Sequence, residues 1–91
     1  MLKLPIICPS CSHQLTVSKL ICSNCETEVS GKYNLPLLTQ LEVEEQEFVL
    51  QFLINSGSLK EMASQMGKSY PTVRNKLDDL INKIKDLQNG E

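Results

Sequence analysis

The four cysteines of this 91-residue chain form two Cys-x2-Cys pairs within its N-terminal third. Cys8 and Cys11 make the first pair, Cys22 and Cys25 the second, and ten residues lie between the pairs. A segment of about 30 residues is too short to fold around an apolar core of its own, so it needs a metal, disulfides or a partner. The cysteines therefore constrain the N-terminal fold more than any other feature.

Two such pairs supply four thiolates, which is the tetrahedral set that zinc accepts readily. Disulfides require an oxidising compartment, but residues 1–7 contain one lysine and a short apolar run broken by Pro5, unlike a secretory signal. A redox Cys-x2-Cys is typical of a βαβ setting, which the pattern here does not show. We predict one structural Zn²⁺ bound by Cys8, Cys11, Cys22 and Cys25, and we expect His13 to be a loop residue.

The composition changes along the chain and predicts two domains. Residues 1–34 hold all the cysteines, whereas residues 35–91 hold none and have helical periodicity. In the first domain we expect a strand and turn over 14–21 and a second strand over 27–33, with Gly31 at a bend or bulge. The predicted class is small α+β: an N-terminal zinc ribbon with short strands, then an all-α domain with a long C-terminal helix.

Three helices are predicted in the second domain. The first spans about 41–55, with Thr39 and Glu42 as a possible capping box. The second follows Ser58 and ends at Gly67, a residue that readily adopts the left-handed conformation of a helix stop. The third follows Ser69, with a proline in its first turn, and runs to about residue 89.

The second and third helices, joined by a short glycine-containing turn, have the layout of a DNA-binding helix-turn-helix. Ala63 fits the small residue of the motif, Gly67 its turn and Val73 the apolar residue of the recognition helix. A rotation of about 100° per residue from an inward Val73 turns Asn75 away from the core and places Thr72 and Arg74 on the flanks. The predicted DNA-binding residues are Lys60, Lys68, Ser69, Tyr70, Thr72, Arg74, Asn75 and Lys76.

The charge of the chain is locally, not globally, favourable for DNA. The net charge is −2, but Gly67 to Leu77 contains three basic residues and no acidic one. Asp78 and Asp79 follow, so contact with DNA is expected over the first turn and a half of the helix. The alternative interpretation of the basic stretch is a solvated face in a protein–protein module.

The apolar residues of the third helix continue at heptad spacing beyond the helix-turn-helix. Their steps from Val73 are 4, 3, 4 and 3 residues. We predict that Leu80, Ile84 and Leu87 form a homodimer interface. The alternative is that they pack on the first helix or on the ribbon.

The whole chain resembles the bacterial domain-of-unknown-function 2089 family of small zinc-ribbon and helix-turn-helix proteins. The two cysteine pairs, Gly31 to Tyr33, Phe48, Lys60-Glu61 and above all Ser69 to Asn75 carry this resemblance. The third helix is also similar to the recognition helix of sigma-factor region four. Ser12 stands where members of the family often have glycine. The resemblance implies an architecture and brings no established activity.

These observations favour a small cytoplasmic transcriptional regulator that binds double-stranded DNA as a homodimer. The alternative is a protein–protein adaptor that uses the ribbon or the leucine seam without touching DNA. An enzyme is not expected, because the chain has one histidine, no paired nucleophile and base, and a metal site closed by four cysteines. No membrane association and no small-molecule substrate are expected either.

Overall fold

The structure is a computed structural model that describes residues 3–90. The outermost residues of the two predicted domains, 1, 2 and 91, lie outside the described residues. The chain divides into two compact units, Met1–Pro36 and Leu37–Glu91, two residues after the predicted boundary. The first unit holds two strands and the second holds the helices, which confirms the predicted α+β class.

The first unit is built on one antiparallel hairpin, β1 (Val17–Ile21) and β2 (Glu28–Tyr33). The second cysteine pair lies in the loop of this hairpin, which closes where the Cys22 N–H donates to the Thr27 carbonyl at 2.8 Å. Residues 14–16, included in the predicted strand, do not belong to it; Gln14 instead makes an isolated bridge with Ile7 across the first cysteine pair. The hairpin thus carries one pair in its loop, and the other pair precedes it.

The predicted irregularity at Gly31 is present. Val17 lies opposite Tyr33 but Lys19 lies opposite Ser30, so β2 contains one extra residue at this point. A Cβ atom added to Gly31 would stand 2.8 Å from Cζ of Tyr33. The glycine therefore leaves room for the tyrosine ring to fold back over the bulge.

The turn after each cysteine pair has the same conformation. Ser12 and Glu26 directly follow the pairs, and both have a φ of 64°. The Ser12 N–H donates to the Cys8 carbonyl and the Glu26 N–H to the Cys22 carbonyl, each at 2.9 Å. Left-handed backbone costs an ordinary residue about 1–2 kcal/mol, so both turns are formed against a local preference.

The second unit begins with a 3-10 turn, Leu37–Gln40, followed by α1 (Val43–Ile54), α2 (Leu59–Met66) and α3 (Tyr70–Gln88). The predicted start of α1 was wrong, because Thr39 lies in the 3-10 turn and does not cap the helix. Glu42 is the N-cap, and its N–H donates to the Glu45 carboxylate at 2.8 Å. Leu41, just before the cap, points into the core and is completely buried.

The ends of α2 and α3 agree with the sequence signals. Ser58 accepts a hydrogen bond from the Glu61 N–H at 3.2 Å, and Ser69 accepts one from the Thr72 N–H at 3.3 Å. Gly67 ends α2 with a φ of 65°, and the Lys68 N–H reaches back to the Ala63 carbonyl at 3.0 Å. The short α2–α3 connection is therefore stabilised by local bonds at both of its ends.

The core of the second unit includes the residues that were assigned to a dimer seam. Leu80 is 5% exposed and belongs to the same buried cluster as Phe48, Met62 and Val73. Ile84 and Leu87 are half-buried and pack against this cluster. This packing favours the alternative that these residues pack on the first helix, so the heptad seam is weaker evidence for a dimer.

No helix within residues 3–90 is both long and apolar enough to cross a membrane.

Truncation of Leu80 should destabilise the helical unit of the monomer itself. Leu80→Ala removes a buried side chain of the core and should lower the free energy of unfolding by roughly 2–5 kcal/mol. The neighbouring Ile81 is 37% exposed, so Ile81→Ala should cost clearly less. Urea unfolding followed by helical circular dichroism measures both changes, and equal losses would contradict this core.

Because Ser12 has a left-handed backbone, substitutions at this position should change the stability of the ribbon in a predictable order. Ser12→Gly relieves the local strain and should leave the ribbon as stable or more stable, whereas Ser12→Val should lower its stability by about 1–2 kcal/mol. Ser18→Val, in β1, is the matched control and should be tolerated, since valine favours strands. Thermal unfolding followed through the amide resonances of residues 6–33 would reveal the order. A valine at position 12 as stable as glycine would be incompatible with this turn.

Candidate metal centre and nucleic-acid interface

The two cysteine pairs have equivalent backbone surroundings. In the first pair the Ser10 N–H donates to Sγ of Cys8, and in the second the Asn24 N–H donates to Sγ of Cys22, both at 3.4 Å. In each case the donor is the amide two residues after the first cysteine. Such N–H groups stabilise negative charge on sulfur, the form in which cysteine binds zinc.

The thiols of the outer cysteines are biased towards the thiolate. The backbone N–H of Cys11 is the main cause that lowers the pKa of Cys8, and the Ser10 N–H adds to it. The hydroxyl of Thr27, 3.1 Å from Sγ of Cys25, is the main cause that lowers the pKa of Cys25. Thr27 was not among the predicted site residues, although its place two residues beyond Cys25 was a usable signal.

The structure brings the cysteines together within each pair. All four are free thiols rather than disulfides. Within residues 3–90, no three or more cysteine, histidine, aspartate or glutamate side chains are arranged to hold one metal ion. His13 is exposed, and its carbonyl accepts a bond from the Cys8 N–H at 2.8 Å. The donor chemistry of each pair fits zinc, and the meeting of both pairs on one ion belongs to the proposal below.

The helix-turn-helix is formed as its spacing predicted. Ala63 is buried where α2 packs on α3, and Val73 is completely buried one turn into α3. Gly67 makes the left-handed turn between them. Because Val73 points inward, the opposite side of the first turns of α3 faces solvent.

Most of the predicted DNA-binding residues lie on this accessible surface. All eight predicted residues are exposed, and those on α2, on the turn or on the open side of the start of α3 are Lys60, Lys68, Ser69, Tyr70, Thr72, Arg74 and Asn75. Two hydroxyls among them already have partners, since Oγ of Ser69 lies 2.8 Å from Oγ1 of Thr72 and also caps the helix. Their first role is thus to start α3, and any contact with DNA comes in addition.

Arg74 has an intramolecular partner that the sequence analysis did not assign. Its guanidinium lies 3.4 Å from the carboxylate of Asp78, one turn along α3. Both side chains are about half exposed, and an exposed pair of this kind contributes only about 0.3–0.5 kcal/mol. Arg74 can therefore exchange this carboxylate for another anion at little cost.

Lys76 points elsewhere than predicted. Its ammonium stands 5.7 Å from the centre of the Phe48 ring, so it lies over α1 rather than on the open side of α3. Lys83 likewise reaches α1, where its ammonium is 2.6 Å from the half-buried carboxylate of Glu45. Glu45 is therefore not a freely solvated acidic residue of α1, because its ion pair with Lys83 joins α1 to α3.

The comparisons with known proteins agree with both halves of this description. The family model for the DUF2089 zinc ribbon matches residues 8–38, and that of "Domain of unknown function (DUF2089)-HTH" matches residues 41–86. No match was found among curated proteins or among solved structures. With both of the family's regions present and in this order, the chain belongs to the DUF2089 family, as a zinc ribbon followed by a helix-turn-helix domain.

Proposed function

We propose that this protein is a small transcriptional regulator that binds double-stranded DNA with the first turn and a half of α3. The observation that carries the proposal is the exposed basic start of a helix-turn-helix recognition helix. Lys68, Tyr70, Arg74 and Asn75 are all accessible there, while Val73 anchors the same turn in the core. The first turns of such a helix are the part that enters the major groove.

The side chains present match the chemistry of base and phosphate recognition. Asn75 can bind adenine and Arg74 guanine through two hydrogen bonds each. Lys60 and Lys68 supply positive charge for the phosphates on either side. Lys76 contributes to the local field more than to direct contact, since it rests over Phe48.

We propose that zinc has a structural role in the ribbon. Among the described residues 3–36 of this unit only Leu35 is buried, so no cluster of buried side chains holds the unit together. One Zn²⁺ ligated by Cys8, Cys11, Cys22 and Cys25 would replace that core, and four thiolates leave no open position for a substrate. On this view the protein is not an enzyme, and its compartment is the cytoplasm, where thiols stay reduced.

Homodimerisation remains part of the proposal, but its basis has changed. Leu80 is buried within the monomer, and Ile84 and Leu87 already pack partly against its core, so the seam supports an interface less than the sequence indicated. What still favours two copies is the small size of the basic surface, because two such surfaces can share a palindromic site.

Charge reversal at Arg74 tests direct DNA contact. Arg74→Glu should lower the affinity for a bound fragment by at least about tenfold, and Lys85→Glu, the same change near the far end of α3, should have little effect. With about four phosphate contacts per protomer, the slope of log K against log salt should be about −4, or twice that for a dimer. Titrations of genomic fragments at several salt concentrations measure both quantities. Equal effects of the two variants, or no binding at low salt by zinc-loaded protein, would favour the adaptor instead.

Removal of the Asp78 carboxylate should strengthen DNA binding. Asp78→Asn frees Arg74 and removes a negative charge beside the phosphates, so affinity should rise by about two- to tenfold. Glu61→Gln, a similar loss of charge in the first turn of α2, is a control for the change in net charge. An unchanged affinity in Asp78→Asn would mean that Arg74 does not approach DNA.

Chelation of zinc should unfold one unit and leave the other folded. Removal of zinc should unfold the ribbon and leave the helical circular dichroism of residues 43–88 largely intact, because the core of the second unit contains no cysteine. Fluorescence zinc indicators give the stoichiometry, expected to be one per chain. Loss of the helical signal along with the metal would show that the two units fold cooperatively.

A further inference from the structure

The side of α1 opposite the core carries apolar residues that the fold does not use. Val43, Leu50, Leu53 and Ile54 recur at helical spacing on this side and are all exposed, Leu50 to 49% and Leu53 to 67%. With Leu38 of the 3-10 turn, most of them line an open groove of about 340 Å³ whose floor is Leu41. A helix that is apolar on two sides normally packs against something on both.

The groove lies in a strongly acidic part of the chain. Residues 37–58 contain four glutamates and no lysine, arginine or histidine. Glu47 lines the groove itself, Glu42 and Glu44 lie near its N-terminal end, and Glu45 is turned towards Lys83 of α3. This charge repels DNA and also disfavours a second copy of the same face, which would place like charges together.

We propose that this groove binds an amphipathic helix of a protein partner whose apolar face is bordered by lysine or arginine. The apolar side chains of that helix would cover Leu38, Leu50 and Leu53, and its cations would meet Glu47 and the glutamates at the start of α1. The exposed side of α1 is about 18 Å long, which suits a partner helix of three to four turns. The proposal does not depend on DNA binding, because the proposed DNA-binding residues lie on α2, on α3 and on the turn between them, and none of them lines this groove.

A pair of synthetic helices tests both the shape and the charge of the proposed partner. The first is a 14-residue peptide, about four helical turns, with leucine at positions i, i+3, i+4 and i+7 and lysine elsewhere. The second has glutamate in place of every lysine. Fluorescence anisotropy with the zinc-loaded full chain measures their affinities. The leucine–lysine peptide should bind at least about tenfold more tightly than the leucine–glutamate peptide, and added salt should reduce the difference.

Variants of the exposed groove residues test whether the leucine–lysine peptide binds in the groove. Leu50→Gln combined with Leu53→Gln should weaken the leucine–lysine peptide by about tenfold or more, while Ile81→Gln, on α3 and outside the groove, should not. Glu47→Lys should reduce the difference in affinity between the two peptides or reverse its sign. Helical circular dichroism checks each fold, and Leu38→Gln is a second groove variant should the double variant unfold.

Three outcomes would overturn the proposal. Equal affinity for both peptides would show an apolar surface without charge selection. Binding unaffected by the groove variants, with methyl resonances shifting elsewhere, would place the site on another face. A dimer that light scattering detects and that Leu53→Gln dissociates would show that a second copy of this chain occupies the groove.

Discussion

The burial of Leu41, Met62 and Val73 holds the helical unit together, and the properties of its surface depend on it. These side chains come from the segment before α1, from α2 and from α3, and they are almost inaccessible to solvent. Because Val73 lies one turn into α3, its burial decides which side of that turn is exposed. The orientation of the proposed recognition surface is thus a consequence of core packing.

The ribbon lacks such a core and depends on its turns. Its strands are short, β2 is exposed along its whole length, and two residues adopt left-handed backbone without being glycine. The hydrogen bonds to Sγ of Cys8 and Cys22 orient the sulfurs towards the inside of each turn. The proposed zinc would hold this arrangement together, since metal binding stabilises a fold of this size more than the few apolar contacts available here.

The helical unit separates its charges. Basic residues gather at the start of α3 and acidic residues gather on α1. The contacts Lys83–Glu45 and Lys76–Phe48 connect α3 to α1. The net charge of −2 hides this division. The proposed DNA surface and the proposed groove for a basic helix could be occupied together, because the two ligands differ in charge and approach different helices.

Most local features could be predicted from the sequence alone. The ends of α2 and α3 followed from Ser58, Gly67 and Ser69, because helix caps depend on residues within one turn of each other. The two cysteine pairs and the bulge at Gly31 were also predictable, because each depends on residues that are close together in the sequence. The start of α1 was not, because Leu41 is drawn into the core and the helix begins only after it.

The tertiary structure decided which partners the longer side chains contact. A heptad pattern shows that Leu80, Ile84 and Leu87 share one face, but it does not say whether that face meets the same monomer or another. Lys76 and Glu45 are similar cases, since a flexible charged side chain goes to whichever partner the fold brings near. The sequence by itself determined the zinc ribbon, the helix-turn-helix and the residues at its start. The tertiary structure decided which apolar face was already covered and which, on the outer side of α1, was left open.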